Sequence, residues 1–207
     1  MSCAEIEKEY VVDVYEKISS HFDNTRSYVW PAVKNFLNSL SPGQYPNILE
    51  VGCGNGRNMM YRPELMIKGC DIVQSFLNIC SNKGLSVRYS NQKELLYPDK
   101  SFNVVLSIAV LHHLADEGDR KKSIDEIIRI LQKDGLCYIQ VWKNSENPDV
   151  SEGKFINWTD IDSKIVYKRF YYFYCENDFK ALFDRDDIEV LNFFEERNNF
   201  ICIFKKK

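Results

Sequence analysis

The chain has 207 residues, of which 44% are hydrophobic and 28% charged, a balance typical of a globular domain rather than of a disordered or fibrous chain. The formal net charge of −3 excludes a protein that coats nucleic acid through bulk positive charge, although it allows a local basic patch. The apolar runs are too short to span a membrane, no basic and apolar leader opens the chain, and the seven cysteines include no CxxC pair. These features predict a single cytoplasmic domain over residues 1–207, with reduced thiols.

The first predicted elements are two helices that precede the first strand. Residues 5–20 carry apolar side chains every four positions, from Ile6 to Ile18, which is typical of one buried helix face. A polar segment over residues 21–26 is expected to separate this helix from a second one that begins near Trp30, where Pro31 is tolerated in the first turn. We expect about residues 1–43 to form a helical lid over the later elements.

From residue 47 onward, short apolar strands alternate with helices. The predicted strands are 47–51, 66–71, 85–89, 102–108 and 136–142. The clearest intervening helix covers residues 120–131, where isoleucine and leucine side chains form one buried stripe. Alternation of this kind predicts a parallel sheet with helices on both faces.

The end of the chain departs from this alternation. A short predicted helix over residues 176–183 is followed by two strands, 187–194 and 200–204, which a polar turn joins into an antiparallel hairpin. A Rossmann-like, seven-stranded sheet that is parallel except for a C-terminal hairpin is the layout of the class I methyltransferases that use S-adenosylmethionine (SAM). We therefore predict this α/β fold.

The most specific motif is the glycine-rich segment E-V-G-C-G-N-G, residues 50–56, at the end of the first predicted strand. Glycines allow the backbone to approach a ligand closely. Asp71 ends the second predicted strand, where a carboxylate can accept hydrogen bonds from two ribose hydroxyls. The spacing G-x-G-x-G differs from the dinucleotide pattern G-x-G-x-x-G, and Glu50 would repel a pyrophosphate but suits the ammonium group of SAM. The motif therefore predicts a SAM site.

Further residues of the predicted SAM site follow the later strands. Asn91 and Gln92 come after the third strand, where enzymes of this fold place a polar side chain against the adenine amino group. Ala109 follows the fourth strand, under the expected position of the reacting methyl group. The complete predicted set is Glu50, Gly52, Cys53, Gly54, Asn55, Gly56, Asp71, Ile72, Asn91, Gln92 and Ala109.

The class of methyl acceptor is predicted from the residues after the fourth strand. Methyltransferases of amino nitrogens often carry N-P-P-Y there, whereas this chain has A-V-L-H-H over residues 109–113, which disfavours such acceptors. A carboxylate acceptor needs no general base, but it needs cationic or hydrogen-bonding groups to orient it. His112, His113 and Arg26 are the candidates for this task. A metal held by the histidines is not expected, because no third ligand has a suitable spacing.

Four further motifs are spread along the chain: H-F-x-N-T-R at residues 21–26, S-I-A-V-x-H-H at 107–113, R-F-Y-Y at 169–172 and R-N-N at 197–199. Through these motifs nearly the whole chain resembles the eukaryotic tRNA (carboxymethyluridine(34)-5-O)-methyltransferases. The resemblance implies that the chain esterifies the carboxymethyl group of the wobble uridine in tRNA, giving 5-methoxycarbonylmethyluridine. It also implies active-site positions for the residues matching Arg26, Asp71, one of His112 or His113, and Asn199.

The resemblance implies two macromolecular partners, the anticodon stem-loop of tRNA and the small zinc-binding activator protein with which this family works. The third predicted strand, residues 85–89, would lie at an edge of the sheet, and such an edge is open to the addition of a partner's strand. The chain departs from the family at Arg57, where lysine is usual, at Tyr172, where histidine is usual, and in residues 143–164, which are fewer than in fungal relatives.

Two alternative functions remain open from the sequence. A SAM-dependent methyltransferase of a small carboxylic acid or lipid would share the cofactor residues but would need no basic surface for tRNA. A catalytically inert scaffold subunit with the same fold would have no need of the intact set formed by residues 50–56 and Asp71. The basic residues from Lys164 to Lys207 favour tRNA over the first alternative.

Overall fold

The computed structural model describes residues 1–160 and 164–207. The strands within these residues are β1 (Ile48–Val51), β2 (Lys68–Asp71), β3 (Val87–Tyr89), β4 (Phe102–Ile108), β5 (Leu131–Trp142), β6 (Glu152–Thr159), β7 (Val166–Phe173), β8 (Ile188–Glu196) and β9 (Asn199–Lys206). The α-helices are α1 (Cys3–Glu7), α2 (Asp13–Thr25), α3 (Pro31–Ser39), α4 (Gln74–Asn82), α5 (Glu117–Ile130) and α6 (Glu176–Ala181).

Seven strands form the main sheet in the order β3-β2-β1-β4-β5-β9-β8. The pairs from β3 to β5 are parallel, whereas β9 is antiparallel to both β5 and β8. Strands β1 and β4 at the centre are buried on both faces, as expected for parallel strands covered by helices on each side. This arrangement confirms the predicted class I methyltransferase fold.

Helices α1 and α2 form one continuous helical segment, which extends beyond residue 20, the predicted end of the first helix. A π-helical turn over Lys8–Val12 joins α1 to α2, and α2 continues to Thr25. The predicted polar break at residues 21–26 is therefore wrong, because the Phe22 ring packs against Phe76 with ring centroids 5.3 Å apart. The prediction for α3 is confirmed, since this helix begins at Pro31 directly after Trp30.

A second, two-stranded sheet is formed by β6 and β7, which are antiparallel. This sheet was not predicted from the sequence. Its apolar face packs against the N-terminal helices in a cluster that includes Val14, Ile18, Trp158 and Phe170. The rings of Tyr171 in β7 and Trp142 in β5 are stacked with centroids 4.3 Å apart and an interplanar angle of 2°, and this stack joins the two sheets.

The main hydrophobic core consists of two clusters that both include side chains of β4 and β5. Helix α5 contributes Ile124, Ile127 and Ile128 to the first cluster, whereas α3 contributes Val33 and Leu37 to the second. In the described part of the chain, no helix is long and apolar enough to cross a membrane.

Candidate active site

A cleft of about 270 Å³ lies at the carboxyl ends of β1, β2 and β4 and is bordered by the N-terminal helices. All residues of the predicted SAM set line it except Gly56. The predicted acceptor residues Arg26, His112 and His113 line it as well, whereas Asn199 lies outside the lining. The topology therefore brings most of the predicted site residues into one space.

The glycines of residues 50–56 serve different purposes. Gly52 has φ +68°, and a Cβ atom there would lie 2.4 Å from Val110 Cγ2, so that no larger residue fits. Gly54 has φ +52°, and a Cβ atom there would meet no protein atom within 4 Å, so that the loop faces open space at this point of the cleft. A Cβ atom at Gly56 would lie 2.3 Å from Leu85 Cδ1. Glycine is therefore needed here for packing inside the protein and not for contact with a ligand.

Glu50 is a buried carboxylate, and only one of its two oxygens accepts a hydrogen bond from a described residue. Its Oε1 accepts a hydrogen bond from Asn58 Nδ2 at 2.6 Å, whereas the buried Oε2 has no hydrogen-bond partner among the described residues. Burial raises the pKa of Glu50 to about 7, although Asn58 and the nearby Arg57 act in the opposite direction. A cationic ligand in the cleft would therefore stabilise the ionised form of Glu50.

Asp71 holds the glycine-rich segment and faces the cleft. Its Oδ2 accepts a hydrogen bond from the Gly54 backbone N–H at 2.9 Å, and its Oδ1 accepts one from the Val73 backbone N–H at 2.9 Å. Burial raises the pKa of Asp71, and these backbone N–H groups act against the rise. Because each carboxylate oxygen has two lone pairs, Asp71 retains the capacity to accept hydrogen bonds from a ligand.

The N-terminal helices are bonded directly to the residues around the cleft. Asn55 Nδ2 donates to Asp23 Oδ1 and to the Arg26 backbone carbonyl, both at 3.0 Å. The Glu16 carboxylate accepts the backbone N–H groups of Gln74 and Ser75 at the start of α4, at 2.6 and 3.0 Å. The glycine-rich segment and the lid predicted for residues 1–43 are thus in contact.

An ion-pair network that was not predicted from the sequence borders the cleft near Asn91. Lys93 Nζ lies 2.8 Å from Glu7 Oε2 and 2.7 Å from Asp119 Oδ2. Glu7 Oε1 also accepts the backbone N–H of Ala115 at 2.9 Å. This network fixes α1 over the cleft, and its partners are too distant in sequence for a local motif to reveal it.

His112 lines the cleft as a fully buried side chain. Its Nδ1 accepts the Trp142 backbone N–H at 3.1 Å, so that the neutral ring carries its proton on Nε2. The buried Nε2 has no hydrogen-bond partner among the described residues. Burial, with smaller effects of His113 and Arg169, lowers the pKa of His112 well below its ordinary value. His112 is therefore a neutral imidazole at physiological pH.

His113 has a different environment, because both of its ring nitrogens are engaged. Nδ1 donates to the Phe170 carbonyl at 2.9 Å, and Nε2 accepts from the Tyr15 hydroxyl at 3.2 Å. Burial lowers the pKa of His113 to about 4. His113 thus connects the turn after β4 with α2 and β7.

Arg26 and Asn199 differ strongly in exposure. Arg26 is exposed at the mouth of the cleft, where its guanidinium carbon lies 4.9 Å from the centre of the Trp158 ring. Asn199 is buried, and its Oδ1 has no hydrogen-bond partner among the described residues. Asn199 pairs with Trp142 across β5 and β9, and Trp142 lines the cleft.

The cleft is also lined by two arginines that were not predicted to be site residues, Arg57 and Arg169. Arg57 is half-buried, with its guanidinium carbon 5.0 Å from the centre of the Trp30 ring. Arg169 in β7 is only 7% exposed. No local signal in the sequence pointed to Arg169, because strand β7, in which Arg169 and Tyr171 share a face, was not predicted.

Comparisons with known proteins agree with this geometry. Residues 49–139 match the family described as "Methyltransferase domain". A tRNA (carboxymethyluridine(34)-5-O)-methyltransferase of Schizosaccharomyces pombe is 30% identical over 98% of this chain and 98% of its own length. The Arabidopsis thaliana protein of the same name is 41% identical over 80% of this chain. The chain spans 40% of the length of that plant relative.

Solved structures share the fold at low sequence identity. A SAM-dependent methyltransferase from Clostridium acetobutylicum has a TM-score of 0.67 at 15% identity, covering 93% of this chain and 99% of its own. A SAM-bound amino pentose methyltransferase from Micromonospora echinaspora has a TM-score of 0.64 at 10% identity, covering 93% of this chain and 92% of its own.

The cofactor of this domain is SAM, and the residues of the cleft fit it. The unpartnered Oε2 of Glu50 suits an ammonium group, and the carboxylate of Asp71 can accept ribose hydroxyls. Gly54 faces open space where a side chain would otherwise obstruct a ligand. Arg26, Arg57, Arg169 and His112 also line the cleft, and these side chains are available to bind a methyl acceptor.

Proposed function

The chain belongs to the tRNA (carboxymethyluridine(34)-5-O)-methyltransferase family, and from this we propose that it esterifies the carboxymethyl group of the wobble uridine in tRNA, giving 5-methoxycarbonylmethyluridine. The state of the two histidines in the cleft supports a carboxylate as the methyl acceptor. Neither histidine of the cleft can take a proton, because His112 carries a hydrogen on Nε2, which has no partner among the described residues, and both nitrogens of His113 are engaged. This arrangement suits a nucleophile that is already ionised, as a carboxylate is.

For such an acceptor, the enzyme must orient the carboxylate against the methyl group, and it needs no residue that removes a proton. SAM supplies a methyl group that is activated by positively charged sulfur. A carboxylate oxygen forms a bond to the methyl carbon while the sulfur–carbon bond breaks, so that a neutral ester and a neutral thioether result. We propose that Arg26 contacts the substrate at the mouth of the cleft and that His112 donates a hydrogen bond to it. We further propose that His113 positions β7, and that Asn199 holds Trp142 in place through the pairing of β9 with β5.

An exposed surface beside the cleft favours tRNA over a small carboxylic acid or lipid. Tyr28 is 51% exposed, with Lys34 Nζ 4.8 Å and the Arg197 guanidinium carbon 5.9 Å from the centre of its ring. Exposed aromatic rings flanked by cations bind unpaired bases through stacking and bind the backbone through charge. Tyr28 lies between Arg26 and Trp30 in sequence, and both of these residues line the cleft.

The proposal predicts methylation that depends on the negative charge of the acceptor. With SAM, the chain should convert an anticodon stem-loop carrying carboxymethyluridine into its methyl ester, which mass spectrometry of the released nucleosides detects. The matched control is the same stem-loop with a neutral carbamoylmethyl group, which should stay unmodified. Methylation of short carboxylic acids with no preference for the stem-loop would favour the first alternative, and lack of any methyl transfer would favour the inert scaffold.

We also propose a heterodimer with the zinc-binding activator of this family, in the cytoplasm. The three-residue strand β3 is an edge of the main sheet. Tyr89 in this strand and Leu96 nearby in the chain are each 51% exposed. An edge strand with exposed apolar side chains supports a partner that binds by strand addition. The seven cysteines are free thiols, as expected in a reducing compartment.

Charged substitutions on this edge test the heterodimer. Tyr89→Glu combined with Leu96→Glu should abolish copurification of the co-expressed activator and lower the yield of the unaggregated chain. The matched control is Val190→Glu on the opposite edge strand β8, where Val190 is 45% exposed. Equal copurification of the activator with both variants, or loss with the Val190 variant alone, would contradict the placement on β3.

A further inference from the structure

The part of the cleft lined by His112, Arg169 and Tyr171, here called the acceptor end, contains a buried cation that forms no ion pair with another described residue. Arg169 is 7% exposed, and its Nε has no hydrogen-bond partner among the described residues. No carboxylate in the described part of the chain forms an ion pair with its guanidinium. A buried and unpaired charge is costly, so that a cation kept in this state points to an anion that arrives with a ligand.

The groups around Arg169 hold the guanidinium in place without neutralising it. Arg169 Nη1 donates to the Tyr15 hydroxyl oxygen at 3.3 Å. Its guanidinium carbon lies 4.5 Å from the centre of the Trp158 ring and 5.1 Å from that of Tyr171. Aromatic faces attract a cation only weakly compared with a carboxylate. The planar donor group is therefore oriented but keeps its charge for a ligand.

The side chain of His112 also lies close to the Tyr171 ring, which the Arg169 guanidinium faces. The rings of His112 and Tyr171 have centroids 5.2 Å apart, and both residues line the cleft together with Arg169. The Nε2–H of His112 is buried and unpartnered among the described residues. Arg169 and His112 thus offer a charged planar group and a neutral N–H to the same space, which matches the two oxygens of a carboxylate.

We infer that Arg169 and His112 form the subsite that binds the carboxylate of the acceptor, and that the exposed Arg26 contacts another part of the substrate. This inference rests on the proposed function and extends it, since it assigns the recognition of the acceptor's charge to a residue of the small sheet. A subsite of this kind rejects a neutral amide because the buried guanidinium would remain unpaired. Arg26, in contact with solvent, would discriminate far less between these ligands.

The test compares two stem-loops that differ only in the wobble substituent, carboxymethyl or carbamoylmethyl, in their binding to the chain saturated with S-adenosylhomocysteine. The wild-type chain should prefer the carboxylate by about 10²-fold, the scale of one charge-assisted contact. Arg169→Gln should reduce this preference to within about threefold, chiefly by weakening the binding of the carboxymethyl stem-loop. Arg26→Gln should weaken binding of both stem-loops equally and keep the preference.

A third variant covers the case in which Arg169→Gln fails to fold, which a thermal melt will show. Arg169→Lys keeps the charge but not the planar fork, and should give an intermediate preference with turnover lowered by about tenfold or more. A full carboxylate preference in folded Arg169 variants, or its loss in Arg26→Gln instead, would overturn the inference. Failure of the proposed function would show separately, as absence of methyl ester formation by the wild-type chain.

Discussion

Replacing Asp71 with alanine is expected to weaken SAM binding by about 30-fold to 1000-fold, which corresponds to about 2–4 kcal/mol of lost charge-assisted hydrogen bonds. The carboxylate lies at the end of β2 in the cleft, where it can accept ribose hydroxyls. It also accepts the backbone N–H groups of Gly54 and Val73. Its removal therefore takes away ligand contacts and a support of the glycine-rich segment together.

Calorimetric titration with SAM, accompanied by a thermal melt of each variant, measures this effect. Asp71→Asn is the milder variant, because an amide keeps the size of the side chain and one acceptor oxygen but loses the charge and one of the two backbone hydrogen bonds. The matched control is Asp125→Ala on α5, since the Asp125 side chain is 60% exposed and pairs with Arg185. Unchanged SAM affinity in a folded Asp71→Ala protein would refute the role assigned to this carboxylate.

The affinity for SAM is expected to fall as pH decreases below 7, because Glu50 must be ionised to pair with the ammonium group. In the free protein the pKa of Glu50 is about 7, raised chiefly by burial. Below this pH the free protein carries an additional proton that it must release on binding. The loss should amount to about eightfold between pH 7.5 and pH 6, a range in which the SAM amino group stays largely protonated.

Glu50→Gln should remove this pH dependence and bind SAM weakly at both pH values. Because its folded-state pKa is raised, Glu50 adds stability below about pH 4.5 that is lost as pH rises through 7. Glu50→Gln should therefore raise the melting temperature of the ligand-free protein at pH 8. A useful control ligand is 5′-methylthioadenosine, which lacks the ammonium group and should bind equally at both pH values. A wild-type SAM affinity that is constant over this range would exclude the role of Glu50.

The main sheet could be predicted from sequence because its signals are local. Each parallel strand is a short apolar run, and the glycine-rich segment and Asp71 end two of them, so that fold topology alone brings them together. The second sheet gave no such signal. Strand β6 buries only Trp158 of its eight residues and otherwise resembles a polar loop. Its structure depends on packing against the N-terminal helices.

The acceptor end of the cleft was harder to predict for the same reason. His112 and His113 are adjacent in sequence, yet their environments differ because one contacts β5 and the other contacts β7 and α2. Arg169 looks like an ordinary strand residue until Tyr15, 154 positions earlier, is placed beside it. Residues assembled by long-range packing carry no motif that a single sequence can show.

All three tryptophans of the chain surround the same cleft. Trp30 and Trp142 line it, and Trp158 lies against the guanidinium groups of Arg26 and Arg169, which line it in turn. Indole emission depends on the charges and solvent next to the ring. The tryptophan fluorescence of this chain therefore originates in and beside the cleft, and an optical titration that excites tryptophan selectively can follow the arrival of cofactor and substrate there without an attached dye.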